Sequence, residues 1–78
     1  PFWKISGKAR TDLQSDFLAI GRACAAVGIR MMVVPLVDNG ALETVEQEDC
    51  LVDFLLSQKS FLAEHHLKVI FESDNYLI

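Results

Sequence analysis

Apolar residues recur at helical spacing in the first third of the chain. Steps of four, three, four and three residues separate Leu13, Phe17, Ile20, Cys24 and Val27. This spacing puts all five on one face of a helix. Thr11 and Gln14 stand where a capping box begins a helix, and Gly28 stands where a left-handed residue ends one. The pattern therefore predicts a helix that begins after Thr11 and ends before Gly28.

Two nearly unbroken apolar runs predict strands. The first covers 29–34, and the second begins at Leu67 and ends in the carboxylate of Glu72. Continuous apolar runs are typical of parallel strands that are covered on both faces. Pro35 cannot donate to a sheet ladder, so we expect it to mark a bulge or the end of the first strand.

A second helix is predicted between the two strands. Thr44 and Gln47 form another capping-box pattern, and the apolar face that follows runs to about His65 or His66. The order helix, strand, helix, strand indicates βαβ units and a parallel sheet. The fold class is thus α/β, with residues 1–78 forming one segment of about two β/α units.

The composition indicates that apolar surface is covered by protein outside this segment. The 78 residues are 51% hydrophobic, which is rich for a domain with so much surface per volume, and two parallel strands alone do not make a stable sheet. We therefore expect the remainder of a larger chain, which we favour, or a second copy of the chain to cover the apolar faces.

Charge and cysteine content exclude some partners. The net charge is −4 with scattered basic residues, which argues against nucleic acid as a partner, and the apolar runs are too short for a membrane span. Cys24 and Cys50 lie on predicted apolar helix faces, where buried structural thiols are the default. Unpaired cysteines fit a reducing, cytoplasmic compartment.

The strand ends carry the resemblance to a known family. The segments 25–30, 33–39 and 67–72 resemble the xylose-isomerase-like (β/α)8 barrels, which include sugar and sugar phosphate isomerases and epimerases and related endonucleases. The resemblance covers roughly residues 13–74. It implies that the chain is a fragment of a TIM (β/α)8 barrel from an enzyme of carbohydrate metabolism.

The same resemblance implies roles for strand-end residues. Glu72 matches the glutamate that binds a divalent metal (Mn²⁺, Mg²⁺, Co²⁺ or Zn²⁺) in that family and that in some members also moves a proton. The other ligands would come from later strands, outside this segment, so the 78 residues alone would be inactive. Asp38 and Asn39 end the preceding strand, where they either hydrogen-bond a sugar substrate or simply form a turn.

For several other residues we favour a structural role over a functional one. Asp74 is better explained as a loop cap than as a partner of Glu72. His65 and His66 point about 100° apart on a helix, so they are better explained by the helix C-terminus than by a shared metal. Phe2 and Trp3 are expected to pack in the core rather than to wall a sugar site.

Two alternatives to the isomerase stay open at this point. One is a metal-dependent hydrolase or endonuclease on the same barrel. The other is a small α/β interaction module without catalytic activity, whose apolar faces pair with a partner.

Overall fold

A computed structural model describes residues 1–73 of the chain. It is a mixed α/β structure with a two-stranded parallel sheet and three helices. The elements are helix α1 (Gly7–Ala26), strand β1 (Met31–Pro35), helices α2 (Val45–Ser57) and α3 (Lys59–Glu64), and strand β2 (Lys68–Glu72). Two short 3-10 helices complete it, the lead-in turn (Phe2–Lys4) and the strand-end turn (Asp38–Gly40).

The two strands pair in parallel, as the order of elements predicted. Met31 lies opposite Lys68 at one end of the ladder, and Pro35 lies opposite Glu72 at the other. The first strand begins two residues later than predicted and includes Pro35. Pro35 is tolerated because its nitrogen faces away from β2, while the next residue, Leu36, donates its N–H to the Glu72 carbonyl at 2.6 Å.

Helix α1 begins earlier than the sequence predicted. Its N-cap is Ser6, and Thr11 lies inside the helix, where its hydroxyl contacts the Gly7 carbonyl at 3.4 Å. The Arg10 side chain holds this start in place because its Nε donates to the carbonyl of Ile5 at 2.7 Å. The prediction for the other end is confirmed, since Gly28 has a φ of +84°.

The sequence predicted one helix between the strands, whereas the structure has two, α2 and α3. The Thr44 hydroxyl accepts from the Gln47 N–H at 3.1 Å, and the Gln47 side chain accepts from the Glu43 N–H at 2.8 Å. The predicted helix start is therefore confirmed. Gln58, with φ −102° and ψ 15°, separates α2 from α3.

The core lies between the helices and one face of the sheet. Its buried residues are Phe2, Trp3, Met32, Val34, Leu51 and Leu67. The lead-in turn enters between α1 and α2, so that Phe2 stacks edge-on against Phe54 with ring centroids 4.8 Å apart. Core packing of Phe2 and Trp3 is thus confirmed.

The other face of the sheet is uncovered among residues 1–73. Alternation along β1 buries Met32 and Val34 on the helix side, while Met31 and Val33 remain 50% and 56% exposed. The sequence predicted strands that are covered on both faces, whereas residues 1–73 cover only one face of β1. Since paired residues of parallel strands share a face, Ile70 and Glu72 project from this same uncovered face.

Candidate functional site

Glu72 lies at the carboxyl end of β2, beside the carboxyl end of β1. Its partner in the ladder is Pro35, and its side chain is exposed. The backbone carbonyl of Glu72 is held by the Leu36 N–H, which fixes the last residue of the strand. The carboxylate therefore projects from a well-anchored backbone at the end of the sheet where both parallel strands have their carboxyl ends.

The strand-end turn places Asp38 and Asn39 at the same carboxyl end of the sheet. Asp38 has a φ of +51°, a left-handed conformation that Asp tolerates better than most residues. Its carbonyl accepts from the Ala41 N–H at 3.1 Å, and the Val37 carbonyl accepts from the Gly40 N–H at 2.8 Å. The segment therefore forms a turn and at the same time exposes the polar side chains of Asp38 and Asn39.

The indole of Trp3 holds the strand-end turn against the core. Its Nε1 donates to the Gly40 carbonyl at 3.1 Å. Gly40 in turn packs so closely on the Pro35 carbonyl that a Cβ at position 40 would clash with it. Sequence reasoning did not find this arrangement, because only the short Asp-Asn-Gly sequence signalled it and nothing indicated Trp3 as its partner.

A groove of about 720 Å³ opens beside β1, on the side away from β2. Helix α1 forms one wall through residues that include Leu13, Asp16 and Ile20, and β1 and the two 3-10 turns form the rest. Asp38 and Asn39 lie on its rim, whereas Glu72 does not line it. The structure thus brings Asp38 and Asn39 together at the groove and leaves Glu72 one strand away.

No complete metal centre lies within residues 1–73. No three His, Cys, Asp or Glu side chains of this part of the chain come close enough to share an ion. The carboxylate of Glu72 can serve as one metal ligand. Because no further ligands lie beside it within residues 1–73, its metal role stays a prediction. Asp74 lies outside the described residues.

His65 and Cys50 make structural contacts in this part of the chain. His65 places its Nδ1 2.9 Å from the Phe61 carbonyl, at the end of α3. Both histidines precede β2 and so lie at the end of the sheet opposite Glu72. Cys24 and Cys50 are free thiols and only half-buried, not fully buried as predicted.

The geometry offers one carboxylate for proton transfer or metal binding, and a carboxylate and an amide for hydrogen bonds to hydroxyl groups. Within residues 1–73, no helix has the length and apolarity to cross a membrane. Searches of family models, curated proteins and solved structures found no match to this chain. The chemistry of the strand ends is therefore the basis on which a function is proposed.

Proposed function

We propose that the chain supplies two consecutive β/α units of a (β/α)8 barrel that isomerises or epimerises a sugar or sugar phosphate. Glu72 is one ligand of its divalent metal, and Asp38 and Asn39 hydrogen-bond the substrate. The single observation that carries this proposal is the position of Glu72, at the carboxyl end of β2 and beside the carboxyl end of β1. Catalytic residues of such barrels occupy these strand ends.

The uncovered face of the sheet supports the barrel. Helices cover only the face that carries Met32 and Val34, and the opposite face carries Val33 and Ile70, which are 56% and 37% exposed. In a (β/α)8 barrel the helices lie outside, and branched apolar side chains fill the interior. Because Glu72 shares the face of Val33 and Ile70, its carboxylate would point to the inside of the barrel at its catalytic end.

Each candidate residue has a role that its chemistry allows. The Glu72 carboxylate can accept a proton from a carbon next to a carbonyl group, as a general base does. The Asp38 carboxylate accepts hydrogen bonds from sugar hydroxyls, and the Asn39 amide both donates and accepts them. A bound divalent metal would polarise the substrate oxygens, and ligands other than Glu72 would come from outside residues 1–73.

Metal content and proton exchange test this proposal in the full-length protein. We expect Glu72→Gln to lower bound Mn²⁺ and to abolish deuterium uptake from D₂O into a panel of aldoses, ketoses and their phosphates, followed by NMR. Glu64→Gln is the matched control, because Glu64 is an exposed glutamate at the end of α3, before β2 begins and so at the end of the sheet opposite Glu72. Unchanged metal content and exchange in Glu72→Gln would remove Glu72 from the site.

The uncovered apolar face also favours a second candidate, a non-catalytic interaction module. An exposed apolar patch often marks a protein-protein contact, and Val33 and Ile70 belong to such a patch. This candidate predicts no deuterium exchange with any sugar, together with a stable complex that Val33→Lys disrupts. A hydrolase or endonuclease on the same barrel would instead retain the dependence on Glu72 and cleave a phosphoester.

A further inference from the structure

The lead-in turn bonds the segment between β1 and α2 at two positions. The Trp3 indole Nε1 donates to the Gly40 carbonyl at 3.1 Å, and the Lys4 ammonium pairs with the Glu43 carboxylate at 2.6 Å. Gly40 is the last residue of the strand-end turn, and Glu43 lies just before the start of α2. Two consecutive side chains of the lead-in turn thus hold the backbone that follows the candidate substrate-binding residues.

The lead-in turn is itself fixed to two helices. The Arg10 Nε of α1 donates to the Phe2 carbonyl at 3.2 Å and to the Ile5 carbonyl at 2.7 Å, so it bonds the backbone on both sides of Trp3. The Phe2 ring is buried and stacks edge-on against Phe54 of α2. The Trp3 indole therefore donates to the strand-end turn from a backbone that α1 and α2 both hold.

The strand-end turn needs support from outside itself. Asp38 has a φ of +51°, a sparsely populated conformation that a residue other than glycine keeps only where the surrounding structure holds it. The side chains of Asp38 and Asn39 are exposed, so their position depends mainly on the backbone that carries them. The Gly40 carbonyl belongs to that backbone, and the bond from Trp3 holds it in place.

We propose that the lead-in turn is a positioning element of the candidate site: Trp3, assisted by Lys4, holds the strand-end turn in the conformation in which Asp38 and Asn39 bind the substrate. This inference rests on the proposed function, in which both residues hydrogen-bond a sugar. Trp3 is only 5% exposed. It therefore acts through the Gly40 carbonyl and not by contact with the substrate.

The same arrangement separates substrate binding from the chemical step. Glu72 lies on β2, one strand away from the groove whose rim carries Asp38 and Asn39. The Trp3 indole bonds the strand-end turn and not β2. Loss of an interaction that serves the ground state and the transition state alike raises KM and leaves kcat unchanged. Removing the Trp3 bond should therefore weaken substrate binding and leave proton transfer at Glu72 unaffected.

Kinetics of the full-length protein test this role. The probes are those aldoses, ketoses and sugar phosphates of the panel above into which the wild-type protein introduces deuterium. Trp3→Phe keeps an aromatic ring but has no N–H to donate. We expect it to raise KM at least about fivefold, the lower end of typical couplings between separate sites, with little change in kcat. Lys4→Met removes the second contact and should raise KM by a smaller factor.

Phe54→Leu separates positioning from a general loss of stability. The Phe54 ring packs against Phe2 and Phe17 in the same core but has no hydrogen-bond donor to lose. We expect this variant to lower the free energy of unfolding and to leave KM unchanged. Amide hydrogen exchange, followed by mass spectrometry on peptides that cover the strand-end turn, should become faster in Trp3→Phe than in Phe54→Leu.

An unchanged KM in Trp3→Phe would overturn this inference, and it would leave the proposed function intact if Glu72→Gln still abolishes deuterium uptake. An equal rise of KM in Phe54→Leu, or equal amide exchange in the two variants, would overturn it as well. If Trp3→Phe does not fold, the KM of Lys4→Met decides in the same way. No deuterium uptake by the wild-type protein into any sugar of the panel would instead remove the proposed function, and this inference with it.

Discussion

The indole Nε1 of Trp3 donates a hydrogen bond to the carbonyl of Gly40 at 3.1 Å, across 37 positions of sequence. This bond joins the lead-in turn to the strand-end turn, which carries Asp38 and Asn39. It satisfies the polar atom of an aromatic side chain that is otherwise buried. The position of the candidate substrate-binding residues therefore depends on a residue close to the start of the chain.

Gly40→Ala tests the close packing of this turn on β1. The added Cβ would clash with the Pro35 carbonyl, and overpacking of this kind costs typically about 1–3 kcal/mol. We expect a loss in this range in the free energy of unfolding, measured with urea. Gly7→Ala is a useful comparison, because its φ is +66° but no atom lies within 4 Å of the new Cβ; a larger loss at position 7 than at position 40 would contradict the packing described.

Thr44→Ala should destabilise the protein by about 1 kcal/mol, the typical cost of losing a helix N-cap. The Thr44 hydroxyl accepts from the Gln47 N–H at 3.1 Å, whereas Thr11 caps no helix. Thr11→Ala, the matched control, should change the free energy of unfolding by no more than about 0.5 kcal/mol. Equal losses for the two threonines would restore Thr11 as a helix cap and contradict the observed start of α1.

The ion pair between Lys4 and Glu43 is expected to contribute little but measurable stability. The two groups approach to 2.6 Å, and the side chains are 19% and 66% exposed. A double-mutant cycle with Lys4→Met and Glu43→Gln should give a coupling of about 0.2–1 kcal/mol. The coupling should fall in 1 M salt because the Debye length is then only about 3 Å. A coupling that does not respond to salt would show that the pair is not the source of the effect.

Local signals predicted the elements of the fold well. The capping box at Thr44, the left-handed Gly28 and the two apolar runs each depend on residues a few positions apart, and each is confirmed. The start of α1 was missed because Thr11 fits a capping pattern equally well in isolation. The structure begins α1 at Gly7, where the Arg10 side chain donates to the carbonyls of Phe2 and Ile5.

Tertiary contacts explain what the sequence pattern did not predict. The lead-in turn reads as an apolar stretch with no fixed place, and only the packing of Phe2 and Trp3 between α1 and α2 defines its position. Similarly, the helical spacing of Ile20 and Val27 marks an apolar face but does not say that it is covered; they are 57% and 74% exposed. For the candidate site, the pattern predicted that Glu72, Asp38 and Asn39 lie at strand ends. That Asp38 and Asn39 lie on a groove from which Glu72 is one strand away required the three-dimensional structure.

Adjacent valines of β1 test which face of the sheet is covered. Val34 is 6% exposed and Val33 is 56% exposed, and threonine has nearly the shape of valine but carries a hydroxyl group. Val34→Thr should cost about 1–3 kcal/mol, because the hydroxyl would be buried among apolar groups. Val33→Thr should change the free energy of unfolding by no more than about 0.5 kcal/mol in the 78-residue chain at micromolar concentration. A similar loss at both positions would mean that the face of Val33 is covered in solution, and repeating the measurement at tenfold lower concentration would then show whether a second copy covers it, since only that stabilisation depends on concentration.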